Sequence, residues 1–208
     1  MRQETLEGLL AKIALPTPTP GGGTAAALLA ALGCALGRMV VSLTVGKEKY
    51  REVESALALD GARLDELRGR FLALAEEDAQ SFEAVLAARR MPKATPEEQA
   101  LRQAAVEEAT TKAAAVPLET ATLAVEALSI LREIALKGNP NAATDAGTGA
   151  LACHAATQGA LLNVRVNVAG LAAQSRREEI LERCRSLEMR AGTLLGETLL
   201  AVQKQTGV

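Results

Sequence analysis

Apolar residues recur every three or four positions along most of this chain, the spacing that places them on one face of an α-helix. The longest such stretch runs from about residue 48 to 90. Its apolar stripe consists of Leu57, Leu64, Leu67, Phe71, Leu74, Phe82, Val85 and Leu86. Alternating runs of β-branched residues, which are typical of strands, are scarce. The pattern therefore predicts helix nearly everywhere and no sheet.

Prolines, glycines and capping residues divide the pattern into successive helices. Thr24 is a plausible N-cap for the second helix, and Thr95 begins a T-x-x-E capping box for the fourth. Pro117 predicts a kink or break, and Thr144 or Asn141 would cap the fifth helix. The predicted helices cover residues 1–13, 24–45, 48–90, 96–137, 144–174 and 176–204.

The connections are short relative to the helices, which favours antiparallel neighbours. The predicted fold is therefore an all-α, up-and-down antiparallel helical bundle. No linker divides the 208 residues, so one domain should cover 1–208. Residues 25–45 are apolar, but Arg38 interrupts them, and a spanning helix needs about 20 apolar residues in succession. We expect a buried core helix and no membrane association.

Composition narrows the possible partners. The chain has 23 Lys and Arg against 25 Asp and Glu and lacks Trp, so it offers little to nucleic acid. Cys34, Cys153 and Cys184 are widely spaced, which suits a reducing compartment, and we expect a cytoplasmic protein. His154 is the only histidine, so sites that need two imidazoles are excluded, and we expect no metal. It fits a core histidine better than a catalytic one.

Asp78 is the most informative single residue, because it falls on the apolar stripe between Leu74 and Phe82. A carboxyl group in that position should face other helices. It could satisfy a buried donor or fix the helix register. Equally, partial burial could raise its pKa and make it a usable acid or base. The sequence leaves these two interpretations even.

Two loops at helix junctions are unusually polar or glycine-rich. Gly21, Gly22 and Gly23 precede the second helix, where free backbone N–H groups can hold an anion, although flexible turns of this kind are common. Asn139, Asn141 and Asp145 lie in a second loop suited to hydrogen-bonding a heterocycle, although Gly and Asn also end helices ordinarily. Asn163 and Asn167, four residues apart, project from one helix face. Hydrogen bonding between helices would explain this last pair equally well.

Five short motifs occur together and in order: P-G-G-G-T at 20–24, G-K-x-K-Y at 46–50, E-D-A-x-x-F at 77–82, G-N-x-N-x-x-x-D at 138–145 and N-V-x-x-N at 163–167. In this combination the chain resembles the cyclodeaminase domain of formiminotransferase-cyclodeaminase and its free-standing bacterial relatives. The family often has serine where Thr24 and Thr144 stand, and both replacements keep a hydroxyl group.

The resemblance implies an all-helical folate enzyme with the family's catalytic aspartate at Asp78. Such an enzyme forms 5,10-methenyltetrahydrofolate from 5-formiminotetrahydrofolate with release of ammonia. The alternative is a methenyltetrahydrofolate cyclohydrolase, which uses water in place of ammonia, and a second alternative is a non-catalytic helical scaffold. The substrate would be a tetrahydrofolate derivative, with no separate cofactor.

The resemblance also implies binding residues and a homodimer. The folate or its glutamate tail would lie against Gly21, Gly22, Gly23, Thr24, Lys47 and Tyr50. The pterin side would be lined by Asn139, Asn141, Asp145, Asn163 and Asn167. More apolar helix surface than one bundle easily hides also favours a homodimer.

Overall fold

The computed structural model describes residues 4–207, which contain six α-helices. Short 3₁₀ helices at Glu48–Tyr50 and Pro140–Ala142 precede the third and fifth of them. The described residues contain no strand, which confirms the all-α prediction. The helices are α1 (Leu6–Ile13), α2 (Gly22–Ser42), α3 (Glu54–Arg89), α4 (Pro96–Lys137), α5 (Ala143–Val168) and α6 (Gln174–Thr206).

Consecutive helices from α2 to α6 run antiparallel. Thr24, near the start of α2, bonds Asp78 in α3, whereas Arg38, later in α2, pairs with the earlier α3 residue Asp65. The same reversal relates α3 to α4, α4 to α5 and α5 to α6. The up-and-down bundle is therefore confirmed.

The core is built around α4, which packs against α2, α3, α5 and α6. The helix expected to lie centrally, α2, packs against α3, α4 and α5 and leaves one apolar face open. The bulkiest fully buried side chains are Phe71, Leu57, Leu64, Leu67, Leu74, Leu128, Leu131, Ile134 and Leu161.

Glycines on α2 let its neighbours approach closely. A Cβ atom on Gly33 would lie 2.5 Å from Sγ of Cys153 in α5, and one on Gly37 would lie 2.7 Å from Leu131 in α4. Real Cβ atoms are not found so near to another heavy atom, so α2 fits this place because its contact face lacks side chains.

Two predictions about α2 and α4 fail, namely Thr24 as the N-cap of α2 and a break in α4 at Pro117, whereas a kink at Pro117 stays a prediction. Helix α2 begins at Gly22, and its N-cap is Gly21, which makes no side-chain hydrogen bond. Thr24 lies inside the helix, and its hydroxyl group donates to Asp78 instead of capping. Helix α4 continues through Pro117 without a break, and the reason lies in a contact with Asn167 described below.

Other boundaries also differ from the prediction. Residues 48–53 form a 3₁₀ helix and a turn, so α3 begins only at Glu54. Neither Thr144 nor Asn141 caps α5, whose N-cap is Ala142. Helix α5 ends at Val168 instead of residue 174, because a turn at 169–170 leads into α6.

By length and composition alone, α2 and one stretch of α4 are long enough and apolar enough to cross a membrane. In the fold, 56% of the apolar stretch in α2 and 50% of that in α4 is buried against other helices. Core helices of bundles pass the same length and composition test.

Candidate active site

The carboxyl group of Asp78 lies at the N-terminal end of α2. Oγ1 of Thr24 donates to Oδ2 of Asp78 at 3.0 Å, and Thr24 itself is fully buried. The N–H groups in the first turn of a helix have no partner within the helix, and they carry the positive end of the helix dipole. The contact with Thr24 shows that the sequence pattern correctly placed Asp78 on a face of α3 that meets another helix, α2.

Gly23 is the residue that makes room for this carboxyl group. A Cβ atom there would lie 2.2 Å from Oδ1 of Asp78 and 2.6 Å from its Cγ. Any side chain at this position would displace the carboxyl group from the start of α2. The backbone at Gly23 is helical and would accept other residues. Glycine is required here because the Asp78 carboxyl group approaches so closely.

Burial raises the pKa of Asp78 above its ordinary value of 3.8. Loss of hydration is the largest cause, because the charged form is disfavoured in a half-buried position. Hydrogen bonds from the side chain and backbone of Thr24 lower the pKa and offset part of that rise. The Asp78 carboxyl group is therefore oriented by Thr24 and holds its proton more tightly than a fully hydrated carboxyl group does.

Asn163 belongs to the same end of the bundle. Its Nδ2 donates to the carbonyl of Gly159 at 2.9 Å and would lie 3.4 Å from a Cβ atom on Gly22. The amide group therefore lies against the glycine loop. The structure brings together Gly22, Gly23, Thr24, Asp78 and Asn163, which we call the Asp78 cluster, and Gly21 adjoins it as the N-cap of α2.

Asn167 performs a structural task close by. Its Nδ2 donates to the carbonyl of Ala113 at 2.7 Å. In a regular helix that carbonyl would accept the N–H of residue 117, but Pro117 has none. Asn167 replaces the missing donor, so α4 continues through its proline. Of the two roles that the sequence left open, hydrogen bonding between helices is the one observed.

A second polar cluster lies at the opposite end of α2, where Asn139 is buried and hydrogen-bonded through its N–H, Nδ2 and Oδ1. Its N–H donates to Oγ1 of Thr44 at 3.0 Å, and its Nδ2 donates to the carbonyl of Leu43 at 3.1 Å. Its Oδ1 accepts from the Tyr50 hydroxyl at 3.3 Å and from the N–H of Asn141 at 3.2 Å. This side chain fastens the loop before α5 to the end of α2.

The other predicted residues of this end are more exposed. Lys47 donates from Nζ to the carbonyl of Leu43 at 2.6 Å, at the negative end of the α2 dipole. Asn141 is exposed, and Asp145 lies in the first turn of α5. We call Lys47, Tyr50, Asn139, Asn141 and Asp145 the Asn139 cluster.

The two clusters do not meet within one chain. Helix α2 has 21 residues and separates them by about 30 Å at about 1.5 Å per residue. The resemblance implies that Lys47 and the glycine loop contact the same folate tail. Within one chain, however, Lys47 does not lie beside the glycine loop. The binding roles of all these residues remain predictions.

No group of three or more His, Cys, Asp or Glu side chains suited to a metal ion occurs within residues 4–207. Cys34, Cys153 and Cys184 are buried and form no disulfide. A hydrogen bond with Cys34, together with burial, raises the pKa of the Cys153 thiol. His154 is half-buried in α5.

Comparison with known proteins identifies the family. The sequence model described as formiminotransferase-cyclodeaminase matches residues 5–186. The chain belongs to this family. A methenyltetrahydrofolate cyclohydrolase of Methylorubrum extorquens is 40% identical over 191 residues, covering 92% of each chain. The mouse formimidoyltransferase-cyclodeaminase is 32% identical over 189 residues, which are 91% of this chain but only 35% of the mouse protein.

The fold of the cyclodeaminase family agrees with the bundle described here. The crystal structure of formiminotetrahydrofolate cyclodeaminase from Thermotoga maritima matches with a TM-score of 0.86 and 27% identity, over 99% of this chain and 97% of that one. The reported relatives are named as enzymes, which places this family member among folate enzymes and not among non-catalytic scaffolds.

The sequence did not indicate every feature around Asp78. Phe82 was expected in the core, yet 37% of it is exposed, because α2 begins opposite Asp78 and covers nothing beyond it. Arg89, Lys93 and Arg102 also lie together on this extension of α3 and α4. Their grouping depends on how the α3–α4 hairpin folds, and the spacing of these residues along the sequence carries no sign of it.

Proposed function

We propose that this protein interconverts 5,10-methenyltetrahydrofolate and an open, one-carbon-substituted tetrahydrofolate, with Asp78 as the acid and base. The observation that carries the proposal is the oriented, half-buried Asp78 carboxyl group against Gly23, in a chain of a folate enzyme family. The substrate is then a folate derivative, and we expect no further cofactor.

For hydrolysis, a water molecule adds to the carbon of the methenyl bridge while Asp78 takes one of its protons. The bond between that carbon and N5 then breaks, and Asp78 returns the proton to N5. The second proton of the water leaves to solvent, and 10-formyltetrahydrofolate remains. General acid/base assistance of this kind contributes about 10² to 10⁴ in rate.

For deamination, N10 attacks the carbon of a protonated 5-formimino group and gives its proton to Asp78. Asp78 then donates that proton to the amino group, which leaves as ammonia when its bond to carbon breaks. The product is 5,10-methenyltetrahydrofolate. One carboxyl group again serves both transfers, while binding supplies the approach of N10 to the carbon.

We take the cyclohydrolase as the first candidate. The observation in its favour is the 40% identity to the Methylorubrum extorquens cyclohydrolase, a relative of nearly equal length. The cyclodeaminase is the second candidate, supported by the close fold match to the Thermotoga maritima enzyme.

The deciding experiment offers the purified protein 5-formiminotetrahydrofolate and 10-formyltetrahydrofolate separately. Formation of the methenyl compound is followed by its absorbance. Turnover of the formyl compound alone supports the first candidate, and release of ammonia from the formimino compound supports the second. If neither is turned over by wild-type protein, the proposed function is wrong.

We further propose that two copies form a dimer through α2 and α5. Exposed or half-exposed apolar residues follow α2 at intervals of three and four: Leu29, Leu32, Leu36, Met39 and Leu43. The antiparallel neighbour α5 adds the exposed Leu151, Leu162 and Val166. A helical stripe with this spacing packs well against a second copy of itself.

Such a pair would also unite the two clusters. If a two-fold axis passes beside Leu36, the middle of the stripe, α2 of one copy packs antiparallel to α2 of the other. The start of each helix then lies beside the end of its partner. The Asp78 cluster of one copy would face the Asn139 cluster of a second copy, although about 30 Å separates them in one chain.

A further inference from the structure

A groove of about 490 Å³ runs between the middle of α4 and the first turns of α6. These two helices run parallel. Arg183 of α6 donates to Thr122 of α4, and Arg132, further along α4, pairs with Glu197, further along α6. None of the residues that line the groove belongs to the Asp78 cluster or the Asn139 cluster. We call this cavity the α4–α6 groove.

The floor of the α4–α6 groove is apolar. Ala114 and Leu171 are buried in one core cluster, and Leu118 and Ile180 pack against that cluster while also facing the groove. The small side chains of Ala114 and Ala115 leave space between the helices that larger residues would fill. Its volume falls within the range of small-molecule sites, about 300 to 1,000 Å³. The groove therefore suits the apolar body of a small ligand.

One end of the groove carries hydrogen-bond donors that the protein leaves unused. Thr111 precedes Thr122 by 11 residues and Ser175 precedes Arg183 by eight, so the parallel helices place Thr111 and Ser175 at the same end. Arg176, next to Ser175, also lines the groove. Within residues 4–207, these two hydroxyl groups and the Arg176 guanidinium group have no hydrogen-bond partner and no ion pair. Together they offer donors to an outside anion.

The other charges of the groove limit what that anion can be. Arg183 lies two turns beyond Arg176, about 10 Å along α6, and its Nη2 donates to Oγ1 of Thr122 at 3.2 Å. Glu179 lies between the two arginines and pairs with neither of them. Two positive charges and one negative charge leave a net of one positive charge. A ligand with a single negative charge matches this lining, whereas Glu179 would repel a polyanion.

Helix packing alone does not account for the arrangement. Two helices that diverge leave an apolar cleft, which explains why Leu118 and Ile180 face a cavity. It does not explain why donors from Thr111 on α4 and Arg176 on α6 lie at one end of that cleft with no acceptor among residues 4–207.

We infer that the α4–α6 groove binds a free apolar monocarboxylic acid with an alkyl chain, at a site separate from Asp78. The carboxylate accepts hydrogen bonds from Arg176, Thr111 and Ser175, and the alkyl chain covers Leu118 and Ile180. Guanidinium groups pair with carboxylates through two parallel bonds, which fixes the end of the groove at which the acid group lies. The inference does not depend on the proposed function.

The test measures binding of decanoate by isothermal titration calorimetry, below the concentration at which decanoate forms micelles. Arg176→Gln should lower the affinity about tenfold, the size expected for losing a charge-assisted hydrogen bond. Glu179→Gln removes a repelling charge and should raise the affinity about two- to fivefold. The matched control is Arg177→Gln, which removes the same charge from the same turn of α6 outside the groove and should leave the affinity unchanged.

Two further comparisons separate the acid group from the alkyl chain. Decanol has the same chain without a carboxylate, so its affinity should be the same for wild type and Arg176→Gln. Ala115→Leu fills the groove and should abolish binding of both compounds. Ala104→Leu, on an exposed part of α4 outside the groove, is its control and should bind both normally. Circular dichroism checks that each variant is folded.

Several results would overturn the inference. No binding of decanoate to wild-type protein would reject the site, and binding that survives Ala115→Leu would place the ligand elsewhere. Equal losses in Arg176→Gln and Arg177→Gln would reveal only a general attraction of anions. Vesicles of phosphatidylglycerol that bind with the same dependence on Arg176 would indicate a membrane surface instead of a free acid. A change of sedimentation in Ala115→Leu alone would identify the groove as an interface between copies of the chain.

Discussion

At the residue scale, substitution of Asp78 should affect activity without affecting the fold. The Asp78→Asn variant keeps the shape of the side chain and can still accept a hydrogen bond from Thr24, but it cannot take up and return a proton. We expect a fold indistinguishable by circular dichroism and a loss of methenyltetrahydrofolate turnover of about 10² to 10⁴. Unfolding of the variant would favour a purely structural carboxylate, and near-normal turnover would reject Asp78 as the acid and base.

The raised pKa of Asp78 gives the same variant a pH signature. The folded protein holds this proton more tightly than the unfolded chain, so stability contributed by the protonated group is complete below the unfolded pKa of 3.8. It falls as pH rises towards the higher folded pKa. The melting temperature of Asp78→Asn relative to wild type should therefore increase from pH 4 to pH 7. A constant difference across this range would contradict the burial described here.

Gly23 gives a second prediction at this scale. In Gly23→Ala the new methyl group would lie 2.2 Å from the present position of Asp78 Oδ1, so the carboxyl group must move. Overpacking of this kind costs about 1 to 3 kcal/mol, and we expect a large loss of kcat as well. Gly69→Ala is the control, since nothing lies within 4 Å of its added Cβ. That exchange should stabilise α3 by about 0.5 to 1 kcal/mol in urea denaturation and leave kcat unchanged.

At the element scale, the integrity of α4 depends on a donor from α5. Asn167→Ala leaves the Ala113 carbonyl without its partner and should cost about 1 to 3 kcal/mol. Pro117→Ala restores a backbone N–H to α4, so the double variant should recover most of that loss. Urea denaturation of all four proteins forms a double-mutant cycle. If the recovered double variant also regains kcat, Asn167 has no direct role with substrate.

At the scale of the whole molecule, the exposed face of α2 is expected to decide both assembly and activity. Leu32 is 55% exposed, and Leu32→Glu would place a charge in the proposed interface. We expect sedimentation to show a monomer with low turnover, whereas Leu59→Glu, on α3, should remain a dimer. Wild-type protein that is monomeric at micromolar concentration would refute the assembly.

The composite site can be tested in mixed dimers. Asp78→Asn and Tyr50→Ala homodimers should each have low activity. Mixed dimers of the two variants carry one site with both intact clusters, and they should regain activity on co-expression. No recovery in isolated mixed dimers would mean that each chain works alone.

The sequence by itself determined the helices, the bundle and the place of Asp78, because apolar periodicity and proline or glycine signals act over a few residues. It found neither the partner of the Thr24 hydroxyl nor the reason why α4 continues through Pro117, since each depends on one residue far along the chain: Asp78 for the hydroxyl and Asn167 for the carbonyl that Pro117 leaves unpaired. Only the tertiary structure decided that the predicted site residues form two clusters at opposite ends of α2. Motif order fixes neither the direction of a helix nor the distance it spans, and these two quantities separate Lys47 from the glycine loop.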